Sequence, residues 1–318
     1  MTLWQRIEDG RLLLLDGAMG TELERRGAPV EQKGWAVAAL GTHPALVRAV
    51  HDDYVRAGAD IHTTQTFSAA RHVLEGAGLG ERFDAFNRSA VALCRDAIEH
   101  AGDDRPRWIA GSVSTFAAGS SRDNLPPRDR LAVDFAEQAA LLADCGVDLI
   151  ALEMLYDVEV SILALEAAAA TGLPVMLGFT CMWGRDGATV ETHAATMTSN
   201  GRHMTLEEVL PPVLAAVPEG SRVIVAVMHS EFDVTDAALP VVKRLWDGPI
   251  AVYPNSGDYV VPHWQFDTVC EPAVFAEAAT GWAGRGAQIV GGCCGLGPDH
   301  IGAARERLAH YFEGHLPA

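Results

Sequence analysis

The sequence predicts a (β/α)8 barrel. Three observations carry that expectation: eight short apolar runs, a helix-length periodic segment after each, and a polar or metal-binding side chain closing every run. In chain order the runs are Leu12–Leu15, Asp60–Thr64, Trp108–Val113, Val147–Glu153, Pro174–Thr180, Arg222–Met228, Pro249–Tyr253 and Ala287–Gly291. Strands that alternate with helices pair in parallel through right-handed crossovers. Eight such units favour closure into a barrel over the runner-up, an open doubly wound sheet. The helix signals fit this spacing. Thr42-His43-Pro44 opens a helix with proline in its first turn. Thr205, followed by Glu207 and Glu208, reads as a capped start. Gly58, Gly146 and Gly172 stand just before strands, where a preceding helix needs a left-handed stop. Pro298-Asp299 begins a last helix expected to reach about Tyr311.

Composition narrows the function. The chain has 318 residues, 49% of them hydrophobic, enough for a full core. Barrels of ~250 residues commonly form one domain, and no linker, charge block or low-complexity tract divides the sequence, so one barrel domain over residues 1–318 is expected. A net charge of −18 repels phosphate backbones and anionic lipid, which argues against nucleic acid and membrane partners. Glu8 and Asp9 precede only four leucines before Asp16, which is not a signal peptide. No apolar run approaches the ~18–20 residues needed to span a bilayer. The six cysteines, Cys94, Cys145, Cys181, Cys270, Cys293 and Cys294, lack disulfide-scaffold spacing, so a cytoplasmic location is expected.

In this fold the active site is built from the C-terminal ends of the strands. Those ends carry Asp16-Gly17, Thr63-Thr64-Gln65-Thr66, Gly111-Ser112, Glu153, Thr180-Cys181, His229-Ser230-Glu231, Tyr253-Pro254-Asn255-Ser256-Gly257 and Gly291-Gly292-Cys293-Cys294-Gly295. Cys293 and Cys294 read as a pair of zinc thiolates, because flanking glycines allow neighbouring side chains to converge on one ion. The blander readings are a vicinal disulfide or two buried thiols. A catalytic zinc keeps three protein ligands and one open position. His229 is the candidate third ligand, with Cys181, His263 and His300 as rivals. Asp16 and Glu153 either fix loops or capture a cation such as an α-amino group by charge-assisted hydrogen bonds. Gly17 and Ala18 could offer backbone N–H groups to a carboxylate. Asn255 shapes a turn within reach of a ligand.

These residues resemble the homocysteine S-methyltransferases, the zinc-dependent family that also holds the betaine–homocysteine enzymes and the homocysteine module of cobalamin-dependent methionine synthase. The resemblance rests on LLLLDGAMGTEL (12–23), HDDYVRAGADIHTTQTF (51–67), GVDLIALE (146–153), YPNSG (253–257) and IVGGCCGLGPDHI (289–301). It implies the same barrel, zinc on Cys293 and Cys294, Asp16 and Glu153 on the substrate amine, the Gly17 backbone and the next residue on its carboxylate, and Thr64 beside it. Two positions depart from the family. Ala226-Val227-Met228-His229 stands where Gly-Val-Asn-Cys is usual, and Gln65 where Asn is common.

The expected activity is transfer of a methyl group to the thiolate of homocysteine, giving methionine, with zinc acidifying a thiol whose free pKa is ~8.5. Two thiolates and a neutral imidazole make a site of zero net charge with Zn²⁺, where three thiolates make −1. The neutral site acidifies its thiol more and leaves the sulfur less nucleophilic, which suits a reactive sulfonium donor, S-methylmethionine or S-adenosylmethionine. Trp183, Trp264 and Phe266 either wall the donor's pocket or pack in the core. The alternatives are another thiol acceptor, a methyl-carrying partner protein as donor, a zinc hydrolase on the same barrel, and a non-enzymatic thiol-redox or metal-storage protein. Self-association into a homo-oligomer is left open.

Overall fold

In the computed structural model, which describes residues 1–30, 33–117, 125–192, 204–260 and 263–313, all eight runs become parallel strands. They are β1 Leu13–Leu14, β2 Ile61–Thr63, β3 Trp108–Ser114, β4 Leu149–Leu155, β5 Val175–Trp183, β6 Val223–Met228, β7 Ile250–Tyr253 and β8 Ile289–Val290. Pairing runs in sequence order from β2 to β8, and β8 then pairs with β1, Leu13 opposite Ile289. A single parallel bridge between Leu15 and Ile61 joins β1 to β2 and completes the ring.

Side chains alternate between two cores. Leu13, Ile61, Ala110, Leu149, Met176, Ile224, Ala251 and Ile289 fill the inside of the barrel. Leu14, Ile109, Ile150, Leu177, Val225, Val252 and Val290 face the surrounding helices. Burial on both faces is why each strand reads as an unbroken apolar run. An N-terminal helix, Leu3–Glu8, sends Leu3 and Ile7 into the inner core. Six residues are too few to show a helical period, and the Thr2–Gln5 capping box is the one local signal for it.

The helix signals behave as expected. Helix Pro44–Ala57 starts on Pro44 and stops at Gly58, φ 94°, while Gly146 and Gly172 take φ 78° and 74°. Thr205 and Glu208 form a reciprocal capping box. Two expectations need correction. The last helix ends at Arg307 and a separate one covers Ala309–Glu313, a break that buries both Leu308 and Phe312. Strand five does not end at Thr180-Cys181: residues 181–183 continue it by pairing antiparallel with Val190–Thr192. A second hairpin, Asp258–Val260 with His263–Gln265, follows β7. Among the described residues no helix is long and apolar enough to cross a membrane.

Candidate active site

The ends of β6 and β8 bring His229, Cys293 and Cys294 together. His229 directly follows β6 with a left-handed backbone, φ 43°, and its N–H donates to the Tyr253 carbonyl at 3.0 Å. Beyond β8 the backbone passes through crowded space. A Cβ on Gly291 would sit 2.6 Å from the Leu15 side chain, and one on Gly295 (φ 82°) would sit 1.9 Å from the Ser256 carbonyl oxygen. Cys293 N–H donates to Pro254 O at 2.7 Å, and the Cys294 carbonyl accepts from Ser256 N–H at 3.0 Å. The cysteine pair is thus clamped to the turn after β7.

Cys293 Sγ lies 3.4 Å from His229 Nδ1 and 4.0 Å from Cys294 Sγ, and all three donor atoms fall within 4.8 Å of one another. Ligands at ~2.3 Å (S) and ~2.0 Å (N) on a tetrahedral ion stand roughly 3.5–3.8 Å apart. The trio therefore fits a zinc ion with its fourth position open, and the donor types suit that metal. The hydrogen bond to Cys294 and burial both push the Cys293 thiol well above its ordinary value. Burial lowers the His229 imidazole, and the neighbouring Cys293 outweighs it, leaving the ring above its usual value.

The rival ligands lie elsewhere. Among the described residues this trio is the one such group, and Cys181 is buried outside it, its thiol pushed up to about 12 by burial. The exposed His263 faces Glu24 at 2.7 Å. His300 is held between Gly297 N–H and the Cys270 carbonyl.

A cavity opens in front of the trio, walled also by Gly17, Ala18, Thr64, Gln65 and Glu153. Glu153 is 7% exposed and accepts a hydrogen bond from Ser112 Oγ. Burial pushes its carboxyl up to about 7, against the opposing pull of Ser112 and then His229. Asp16 is 1% exposed, accepts the Thr63 N–H at 2.8 Å, and is raised well above the carboxylate range by burial. Asp16 lies behind the wall rather than on it. The Ala18 N–H already donates to Leu296 O at 3.0 Å. Asn255 does not line the cavity; its side-chain amide donates to Glu231 Oε1 at 3.0 Å, tying the β7 turn to the segment carrying His229.

Of the three aromatic residues singled out in the sequence, Trp264 lines the cavity. Trp183 is outside, bonded to Asp233 at 2.8 Å, and Phe266 sits in a short 3-10 turn away from it. The sequence reading missed Trp35, Phe67, Phe116, Tyr259, Met154 and Met228, all on the wall, and named Tyr253 at its strand end without giving it a role. Tyr253 and Met228 were findable, since alternation along their strands points them inward. Trp35 lies in a stretch with no period to read. Among the described residues the non-glycine positions in the left-handed region are Trp35, Met154 and His229, and all three face this cavity. Such strain, ~1–3 kcal/mol each, gathers at functional sites.

The comparisons agree with this geometry. The family model described as homocysteine S-methyltransferase matches residues 13–308. The homocysteine S-methyltransferase of Escherichia coli K12 is 31% identical over 93% of this chain and 95% of its own length. A selenocysteine methyltransferase of Astragalus bisulcatus is 28% identical, covering 92% of this chain and 91% of the relative. Among solved structures, the metallated form of the Escherichia coli homocysteine methyltransferase MmuM superposes with a TM-score of 0.75 at 28% identity, over 96% of this chain and 99% of that one. The chain is a methyltransferase and belongs to the homocysteine S-methyltransferase family.

Proposed function

We propose that the protein transfers a methyl group from a small sulfonium donor to the thiol of homocysteine, using zinc held by His229, Cys293 and Cys294. The observation that carries this reading is the convergence of three zinc-type donors on one wall of a cavity that also presents Glu153. When bound there, zinc supplies acidification of a thiol at its open position. The chain's own residues do the rest. Glu153 receives the substrate ammonium, and the buried Asp16 braces the strand ends beside it through Thr63. Gly17 and Thr64 border the same space. Holding the acceptor sulfur and donor methyl in line, away from water, is where most of the rate arises.

The donor class follows from the aromatic part of the wall, which begins beside His229. Trp35 meets Tyr259 edge-on at 5.7 Å, Tyr259 lies 6.3 Å from Trp264, and Trp264 lies 6.1 Å from His229. Aromatic faces attract a desolvated cation by ~0.5–2 kcal/mol each, which favours S-methylmethionine or S-adenosylmethionine over a neutral donor. The imidazole points the same way, because a neutral metal site leaves its sulfur less nucleophilic and demands a more reactive methyl. Homocysteine-to-methionine conversion by zinc-loaded protein, with each sulfonium as donor, tests the reading. Abolition of both metal content and turnover in Cys293→Ser is expected, and turnover that survives metal removal refutes it. A cytoplasmic location belongs to the same reading, supported by six unpaired cysteines.

A further inference from the structure

The cavity wall carries a buried polar group that the reading above leaves idle. Tyr253 is 2% exposed and lines the cavity, yet its hydroxyl has no hydrogen-bond partner among the described residues. Buried hydroxyls are rarely left so, since the loss is ~1–3 kcal/mol. The fold makes room for it on purpose of sequence: a Cβ on Gly178 of β5 would lie 2.6 Å from that oxygen, so only glycine there admits the phenol. The hydroxyl faces Glu153 closely enough for a weak hydrogen-bond-like interaction, in which each group acts on the other's proton affinity, but it stops short of ordinary hydrogen-bond geometry. Glu153 Oε2 is already taken by Ser112.

We infer that Tyr253 is a positioning residue for the acceptor: its hydroxyl donates to the free oxygen of Glu153 when an amino-acid substrate brings its ammonium to that carboxylate. This rests on the proposed capture of homocysteine by Glu153. With no ammonium beside it, burial raises the Glu153 carboxyl to about 7, which makes it a weaker acceptor for the phenol. The arriving ammonium stabilises the carboxylate. An ionised carboxylate offers about four lone-pair sites, enough for Ser112, Tyr253 and the ammonium together. The phenol then fixes the angle at which Glu153 meets the amine, and so the reach of the substrate sulfur toward the cysteine pair.

Calorimetric binding to zinc-loaded wild type and Tyr253→Phe, with homocysteine and with its des-amino analogue 4-mercaptobutanoate, tests this. Loss of a hydrogen bond to a charged group predicts roughly tenfold or greater weakening of homocysteine binding. The analogue, having no ammonium, should bind both proteins alike, with zinc content unchanged. Thermal stability should fall little, because the variant removes a hydroxyl that makes no hydrogen bond of ordinary geometry. In a Glu153→Gln background Tyr253→Phe should add little to the loss. Equal weakening of both ligands, or no weakening of either, overturns the assignment. A wild type that does not prefer homocysteine to the analogue removes the Glu153 reading itself, and this shows before any variant is made.

Discussion

Replacing Glu153 by Gln should stabilise the ligand-free protein at pH 8 and leave it nearly unchanged at pH 4. The carboxyl titrates near 4.5 in an unfolded chain and at about 7 in the cavity, where burial opposes its charge. Between those values the folded chain holds a proton that the unfolded chain has released. Stability therefore falls as pH rises from about 4.5 through 7 and levels off above. Raising the carboxyl from 4.5 to about 7 makes its ionisation in the fold costlier by about 3 kcal/mol. Gln fills the same space, can bond to Ser112 and cannot ionise. Urea unfolding of both proteins at pH 4, 6 and 8, with chelator present, reads the difference directly: near zero at pH 4 and growing to about 3 kcal/mol in favour of the variant at pH 8. A gap that stays constant across this range would show that Glu153 is not held against ionisation, and the argument for amine capture would lose its driving force. Homocysteine added to zinc-loaded protein should reverse the order at pH 8, because its ammonium compensates the charge only where a carboxylate is present.

Other outcomes follow from the same geometry. His229→Ala removes one of three donors and should weaken zinc retention against a chelator by at least tenfold or so, whereas His229→Cys should keep the ion and speed transfer from less reactive donors; a slower rate on those donors counts against the charge argument. Gly295→Ala forces a Cβ to within 1.9 Å of the Ser256 carbonyl, so metal content measured after purification should drop sharply, and full zinc occupancy would contradict the clamp described above. His51 and His62 are fully buried without partners among the described residues, and burial lowers them from 6.5 to about 4 and about 3. Their folded forms resist protonation, so stability should fall as pH drops below 6.5, by on the order of 5 kcal/mol near pH 4. His62→Leu should flatten that decline, and an unchanged acid midpoint would assign it to other groups.

The barrel was legible because parallel strands buried on both faces leave continuous apolar runs, and all eight runs became strands. The grouping of His229 with Cys293 and Cys294 was legible because strand ends in this fold share one mouth, so the three could be paired from order alone. What hid was set by packing between loops. Nothing in the sequence says that Leu296 takes the Ala18 amide, or that Glu231 takes Asn255. Residues 181–192 escaped notice because their pairing continues a strand past a polar stretch that reads as a loop. Trp35 and Met154 reach the cavity by left-handed turns at residue types that give no hint of such a backbone.

The three candidate donors follow β6 and β8, and the cysteine segment is packed against Leu15 at the end of β1. Under the proposed reading, a growing polypeptide on the ribosome carries the histidine long before either sulfur, and its first strand has no partner on one side until the last is made. An ion can be captured only by a completed ring, so occupancy certifies that synthesis and closure have finished. Prematurely terminated products hold no catalyst and gain none of the ligand-linked stabilisation that protects the finished molecule from proteolysis.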